Sequence, residues 1–407
     1  MTLFKNMFLL YKDAYSGLPG EAWLLSLVVF INRSGSMVLF YMTLYLTQTF
    51  DFTTLQASQV ISSYGFGALL GTYIGGKLTD TIGAYNVQKA SLLLVGILYI
   101  VLGQLTSFWL IMAIIFLVGL VGEAIHPANA TAMSQVCPPE LRTKGFALNR
   151  LAVNLGFTIG PLIGGYLALV NYSWLFWIDG LTCLLAGVIF MLFFKTARPP
   201  LETHAEPTIN ASSVWRDFYF LKILALVFFI GIVFVQLFNT FPLYFRSVYG
   251  FKENRIGVLI AINTVMIVLF EMVLMDLLKK KSLIKIIALG TFLLCFGFAL
   301  MPLGRGFLFA AFTVVVWTIG EMLSLPALAA LIANHSPDAV RGKYMGMFSF
   351  AFALAIAVGP TIGGKIYASL GANALWFGCG VLGVLLWFGF STLKSDPGSP
   401  SRNSNLP

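Results

Sequence analysis

The chain has 407 residues, 58% of them hydrophobic and only 10% charged, with a formal net charge of +9. A soluble chain carries about 25% charged residues, so lipid must solvate most of this surface, and an ordinary soluble globular domain is excluded. The excess of basic residues reads as topology rather than as nucleic-acid binding, because Lys and Arg hold loops on the cytoplasmic side and no basic-aromatic recognition motif accompanies them.

In chain order, residues 2–15 place Leu3, Phe4, Met7, Phe8 and Leu10 near Lys5 and Lys12, which predicts a short interfacial helix and no cleavable signal. Apolar stretches follow at 22–47, 56–76, 88–105, 108–133, 146–169 and 174–194, then at 222–246, 255–278, 284–303, 307–333, 344–369 and 374–393. Each is long enough to cross a hydrocarbon core of about 30 Å, and lipid offers no partners to open backbone groups, so each must be a helix. The fold class is an all-α membrane protein with twelve transmembrane helices. Residues 1–195 form an N-terminal six-helix bundle and 222–394 a C-terminal one; the polar, proline-rich 196–221 are a cytoplasmic linker, and 395–407 a disordered tail. Lys77, Lys89, Arg142, Lys144, Lys195, Arg198, Lys279–Lys281, Arg341 and Lys343 fall on one set of loops, whereas the other offers only Arg246, Lys252, Arg255 and Arg305. Both termini are therefore expected in the cytoplasm. Cys137, Cys183, Cys295 and Cys379 are scattered without metal spacing.

Span five carries Gly156-Phe-Thr-Ile-Gly160-Pro161-Leu-Ile-Gly164-Gly165, and 199 residues later span eleven carries Ala355-Ile-Ala-Val-Gly359-Pro360-Thr-Ile-Gly363-Gly364. The same offset aligns Arg142 with Arg341 and Trp177 with Trp376, and one residue of slippage aligns Gly122-Glu123 with Gly320-Glu321. Both halves begin on the same side, so this is a parallel repeat of the kind that transporters use. Glycines four apart let helices approach closely, and Pro161 removes a backbone bond and bends its helix.

Arg33, Glu123 and Glu321 lie near mid-span, where a charge costs about 2.5–3.5 kcal/mol on insertion scales and needs a cavity or a partner. Two readings stay open: a structural Arg33–Glu123 pair, or carboxylates that gain a proton from one side and lose it to the other, tuned by burial and by Arg33. His126, one turn beyond Glu123, is either a proton relay or a neutral hydrogen-bonded neighbour of Pro127. Glu271 in span eight reads as a gating or interfacial charge. Asn32, Arg33, Tyr41, Gln236, Asn239 and Phe241 are the candidate substrate contacts.

These features resemble a major facilitator superfamily transporter over nearly the whole chain. The loop Gly76-Lys-Leu78-Thr-Asp80-Thr-Ile-Gly83 is similar to the family's signature loop after span two, with Thr81, Ala84 and Tyr85 where basic residues usually stand. The span-five motif resembles that of the proton-coupled drug-exporter branch, and Phe30-Ile-Asn32-Arg33-Ser-Gly35 has some likeness to multidrug-resistance-like bacterial members. Val118 stands where that branch carries a span-four arginine. The resemblance implies that spans one, four, seven and ten line a central cavity. It also implies that span five packs on span eight and span eleven on span two, with Gly76, Asp80, Gly83 and both glycine–proline motifs as gating and packing elements. The expected function is proton-driven export of small amphiphilic compounds by a monomer in the inner membrane of a bacterium. The proton gradient is its energy source, with no cofactor and no metal. The alternatives are a proton-coupled importer of a nutrient such as a sugar, acid or peptide, and a transporter-fold sensor or membrane enzyme. No phosphate-binding loop or nucleophile–base pair supports an enzyme.

Overall fold

Each long apolar run of the sequence becomes a helix in the computed structural model. It describes residues 16–194, 211–278, 281–337 and 340–393. The expected interfacial helix at 2–15, the linker up to residue 210 and the 395–407 tail lie outside the described residues. Span one is Gly20–Ser34 and Val38–Thr49, span two Thr54–Ile82, span three Ala84–Leu102, span four Phe108–Glu123 and Ile125–Val136, span five Arg142–Val170 and span six Ser173–Phe193. Span seven is Phe218–Phe234 and Thr240–Ser247, span eight Glu253–Leu278, span nine Leu283–Leu300, span ten Phe307–His335, span eleven Arg341–Leu370 and span twelve Ala372–Ser391. Among the described residues, eleven of these spans are both long and apolar enough to cross a membrane. Span two has the length, at 29 residues, but its serines, threonines, Lys77 and Asp80 keep it out of that set.

Several expected boundaries move, and two of them have a readable cause. Span seven begins at Phe218, because the Asp217 side chain accepts the Phe220 amide at 2.9 Å and caps the helix there. Span two runs six residues further than expected, so the segment read as a loop, Gly76–Ile82, is helix. Residues 77–82 hold neither Gly nor Pro, and the Thr79 hydroxyl bonds back to the Gly75 carbonyl at 2.7 Å. The turn is Gly83 alone, at φ +86°, a conformation that side chains rarely adopt.

Three spans are interrupted, each for a readable reason. Span four breaks at Ala124 because Pro127 has no N–H for the Glu123 carbonyl four residues earlier. Span seven passes through a 3₁₀ turn, Val235–Phe238, because Pro242 denies the same bond to Phe238. Span one breaks over Gly35–Met37, directly after Ser34, where a glycine and a serine follow each other. The interruptions of spans one and seven fall at matching places in the two sequence repeats, as in transporters with discontinuous helices.

The chain divides into two compact units. The first takes in the described part of Met1–Glu202 together with Gln236–Val268 and Pro360–Lys365; the second takes in the described parts of Thr203–Val235, Leu269–Gly359 and Ile366–Pro407. Within the first unit, a Cβ on Gly67, Gly71 or Gly75 of span two would collide with the backbone of Phe116, Leu120 or Ala124 in span four. That stripe is what lets the two helices touch. Within the second unit, Gly290 and Gly297 admit span ten to span nine in the same way, and Phe298 stacks on Trp317 and Trp376 with centroids 5.3 and 5.6 Å away.

Candidate functional site

The glycines of span five face the break in span one. A Cβ on Gly156 would lie 2.6 Å from the Arg33 Cβ, and one on Gly160 would lie 3.2–3.4 Å from the carbonyl oxygens of Ser34, Ser36 and Arg33. Further along, a Cβ on Gly164 would press on Met37. The half-helix that resumes at Val38 begins with amides that have no partner in their own turn. Asp179 of span six supplies one: its carboxyl oxygens accept the Met37 amide at 3.1 Å and the Val38 amide at 2.8 Å. Arg33 ends the preceding half-helix, where the backbone dipole favours a cation.

Arg33 is thereby held against span four. Its Nη2 lies 2.8 Å from His126 Nε2, and its guanidinium stands 5.5 Å from the Phe157 ring centroid. The same His126 nitrogen lies 2.9 Å from Glu123 Oε2, and Tyr64 donates its hydroxyl to Glu123 Oε1 at 2.8 Å. The Glu123 side chain is 19% exposed and that of His126 52%. One ring nitrogen therefore faces two partners with opposite demands. An Arg N–H needs a lone pair on Nε2, whereas the Glu123 carboxylate needs a proton there. Beside this cluster is a cavity of about 30 Å³, lined by Asn32, Arg33, Tyr64, Tyr99, Glu123 and Cys183 among others. It has room for about one water. Asn32 donates to Cys183 Sγ at 3.2 Å, and Val118 lines the same cavity.

The remaining candidates on spans one and seven are buried in a seam. Tyr41 donates to the Pro161 carbonyl at 2.7 Å and lies 3.4 Å from the Glu253 carbonyl. Asn239 donates to the Pro360 carbonyl at 3.0 Å and accepts the Ser58 and Thr43 hydroxyls at 3.1 and 3.3 Å. The two prolines of the sequence repeat thus present their carbonyls to matching residues of spans one and seven. Gln236 accepts the Thr240 hydroxyl and sits against Gly363, while Gly364 sits against Ser58. Phe241 is fully buried, 4.7 Å from the Phe245 ring. Ser62 and Thr361 bond at 2.8 Å, and Gly257 approaches the Pro161 carbonyl, so span two meets span eleven and span five meets span eight. At the rim Tyr172 donates to Glu253 at 2.8 Å, and Arg246 lies 3.8 Å from that carboxylate. Burial first, then the Glu253 charge, push the Tyr172 hydroxyl up, so it stays a donor.

Of the sequence candidates, Arg33, Glu123, His126 and Asn32 come together at the breaks of spans one and four. Tyr41, Gln236, Asn239 and Phe241 instead spend their polar and apolar groups on protein partners. Glu321 and the buried Glu271 belong to the second unit. Gly76 and Asp80 lie at the end of span two, Asp80 exposed. In the second unit Gly359 packs on Val235. Sequence reading missed Asp179, a carboxyl group 1% exposed inside span six. Its signal was available, since a lone acidic residue five positions inside an apolar span needs a reason.

Comparison with known proteins agrees with this architecture. The family profile described as Major Facilitator Superfamily matches residues 22–360 and 315–406. An uncharacterised MFS-type transporter of Bacillus subtilis, YqjV, is 22% identical over 351 residues, 85% of each chain. The multidrug resistance protein MdtH of Photorhabdus laumondii is 24% identical, covering 76% of this chain and 78% of its own. A crystal structure of a POT family transporter in complex with a thioalcohol-conjugated peptide superposes with a TM-score of 0.77 at 19% identity, over 93% of this chain and 96% of that one. The chain belongs to the Major Facilitator Superfamily and is a secondary transporter, not an enzyme.

Proposed function

We propose that this protein is a proton-coupled antiporter that exports small amphiphilic compounds. The observation that carries the proton step is the shared nitrogen of His126. With a proton on Nε2 the imidazole donates to Glu123; without it the nitrogen accepts from Arg33. Loading a proton at this cluster therefore exchanges the partners of Arg33 and frees its guanidinium for another acceptor. Tyr64 holds the second Glu123 oxygen throughout. Asn32 and Arg33 then stand as the polar contacts for substrate, within aromatic surroundings that include Phe157 and Tyr99.

Transport follows by rocking of the two six-helix halves, 1–195 and 222–394, about a midplane site. In that reading the Tyr41, Asn239 and Ser62–Thr361 bonds are the closed gate at one end, and both Gly-Pro motifs are its hinges. The termini and the basic loops are cytoplasmic, and a single chain suffices. Export is favoured by the span-five motif and by the multidrug resistance relative, 24% identical.

The test is transport in proteoliposomes with an imposed pH gradient and a panel of labelled compounds. Outward movement driven by inward protons is expected, with Glu123→Gln retaining substrate binding but losing the response to the gradient. Movement of compound and proton in the same direction would replace export by import. A full gradient response in Glu123→Gln would remove the carboxylate from the proton path.

A further inference from the structure

The second unit carries a groove of about 710 Å³ between span seven and span eleven, whereas the polar cluster belongs to the first unit. Leu221, Leu224, Ala225 and Phe228 form one wall, at the spacing of a single helix face, and Met347, Phe350, Ala351 and Leu354 form the other. Its lining is apolar apart from Lys343, which sits at the same end as Trp215. Trp215 is 66% exposed and Phe350 55% exposed. Arg216 follows Trp215 and is exposed, so the end of the groove carries positive charge next to an aromatic ring.

Three properties specify an occupant. From Lys343 to Leu354 a helix rises about 16 Å, which matches one leaflet of a core about 30 Å thick. The aromatic and basic residues sit together at one end, where Trp and Lys mark the membrane–water interface. That end belongs to the basic loops, which face the anionic lipids of the cytoplasmic leaflet. We propose that this groove is a binding site for one anionic phospholipid. Its acyl chains lie along spans seven and eleven, and its headgroup is held by Lys343 and Arg216. The glycine at 346 belongs to the design: a Cβ there would meet nothing within 4 Å, so the wall is left open beside the headgroup end. This proposal does not depend on the direction or the substrate of transport.

The full chain purified in detergent can be titrated with palmitoyl-oleoyl phosphatidylglycerol or phosphatidylcholine and weighed intact by native mass spectrometry. One phosphatidylglycerol is expected to bind about fivefold more tightly than phosphatidylcholine for each basic residue that contacts it. Lys343→Gln should lower that preference about fivefold, and Gly346→Leu, whose side chain enters open space in the groove, should abolish the tight site for both lipids. Lys252→Gln, on the loop after span seven and not among the residues that line the groove, should change nothing. Equal binding of the two lipids by the parent, or an unchanged preference in both Lys343→Gln and Gly346→Leu, would overturn the proposal. Displacement of the bound lipid by tetraphenylphosphonium at equal affinity in parent and Lys343→Gln would assign the groove to amphiphilic substrate instead.

Discussion

Asn239 offers the most direct measurement of the seam. Its side chain is 0% exposed and makes three hydrogen bonds, to the Pro360 carbonyl, the Ser58 hydroxyl and the Thr43 hydroxyl. Asn239→Ala removes all three and adds no bulk. At about 1 kcal/mol net for each buried bond, the closed seam loses about 3 kcal/mol. If those bonds exist only while the seam is shut, the population in which it is open rises roughly a hundredfold, at 1.4 kcal/mol for each factor of ten. A cysteine at Leu46, a position 0% exposed in span one, reports that opening through its rate of maleimide labelling. The four native cysteines are all buried, and Cys295 in the second unit reports unfolding separately. The expected result is a labelling rate at position 46 raised by one to two orders of magnitude with Cys295 still protected. A rate within twofold of the parent would show that these bonds do not hold the seam shut. Simultaneous labelling of Cys295 would show that the bonds hold the fold rather than the gate.

Asp179→Ala leaves the Val38 amide without an acceptor, at about 1–3 kcal/mol for a buried group, while the Met37 amide keeps the Gly35 carbonyl at 2.8 Å. It should lower the melting temperature in detergent, with Asp179→Asn, which keeps one acceptor oxygen, falling between. Gly160→Leu drives a side chain into the carbonyls of Arg33, Ser34 and Ser36, so it should abolish transport while the protein remains in the membrane, as read by uptake and by membrane yield. On Asp217, burial works to raise the pKa, but the Phe220 amide, His335 at 2.7 Å and Tyr344 at 3.0 Å outweigh it and hold the carboxyl below the ordinary range. A depressed carboxyl contributes stability that is complete above its unfolded pKa and is lost as pH falls through the folded one. Melting temperature should therefore drop on acidification into and below the ordinary carboxylate range, and Asp217→Asn should flatten that part of the profile.

Span positions were legible because lipid permits so few structures: an apolar run of this length has one solution. The breaks of spans four and seven have a visible cause in Pro127 and Pro242, but Pro161, Pro326 and Pro360 lie inside continuous helices, so proline alone does not place a break. The end of span two was less visible. Its glycine and polar residues look like a loop, and only the absence of a breaker between Lys77 and Ile82 argues otherwise. The polar residues of spans one and seven were harder still. Tyr41 and Asn239 have the chemistry of substrate contacts, and only tertiary structure shows that two proline carbonyls claim them. Charge and depth put Arg33 and Glu123 in one cluster, where each meets His126. That His126 stands between them is visible only in the structure, where one ring nitrogen lies 2.9 Å from Glu123 and 2.8 Å from Arg33.

The break in span one also sets an order of assembly. The Val38 amide finds its acceptor 141 residues downstream. At about 5–20 residues per second, a ribosome needs roughly 7–28 s to cover that distance. During that interval the Val38 amide lacks this acceptor, whereas the Met37 amide has the Gly35 carbonyl at 2.8 Å, and an unpaired amide in hydrocarbon costs several kcal/mol. Span one therefore cannot settle in lipid in its final form when it is made. It must wait in a wet or protein-lined setting, or enter as a continuous helix and be opened later. The kink that places Arg33 is thus completed only when span six supplies the Asp179 carboxylate.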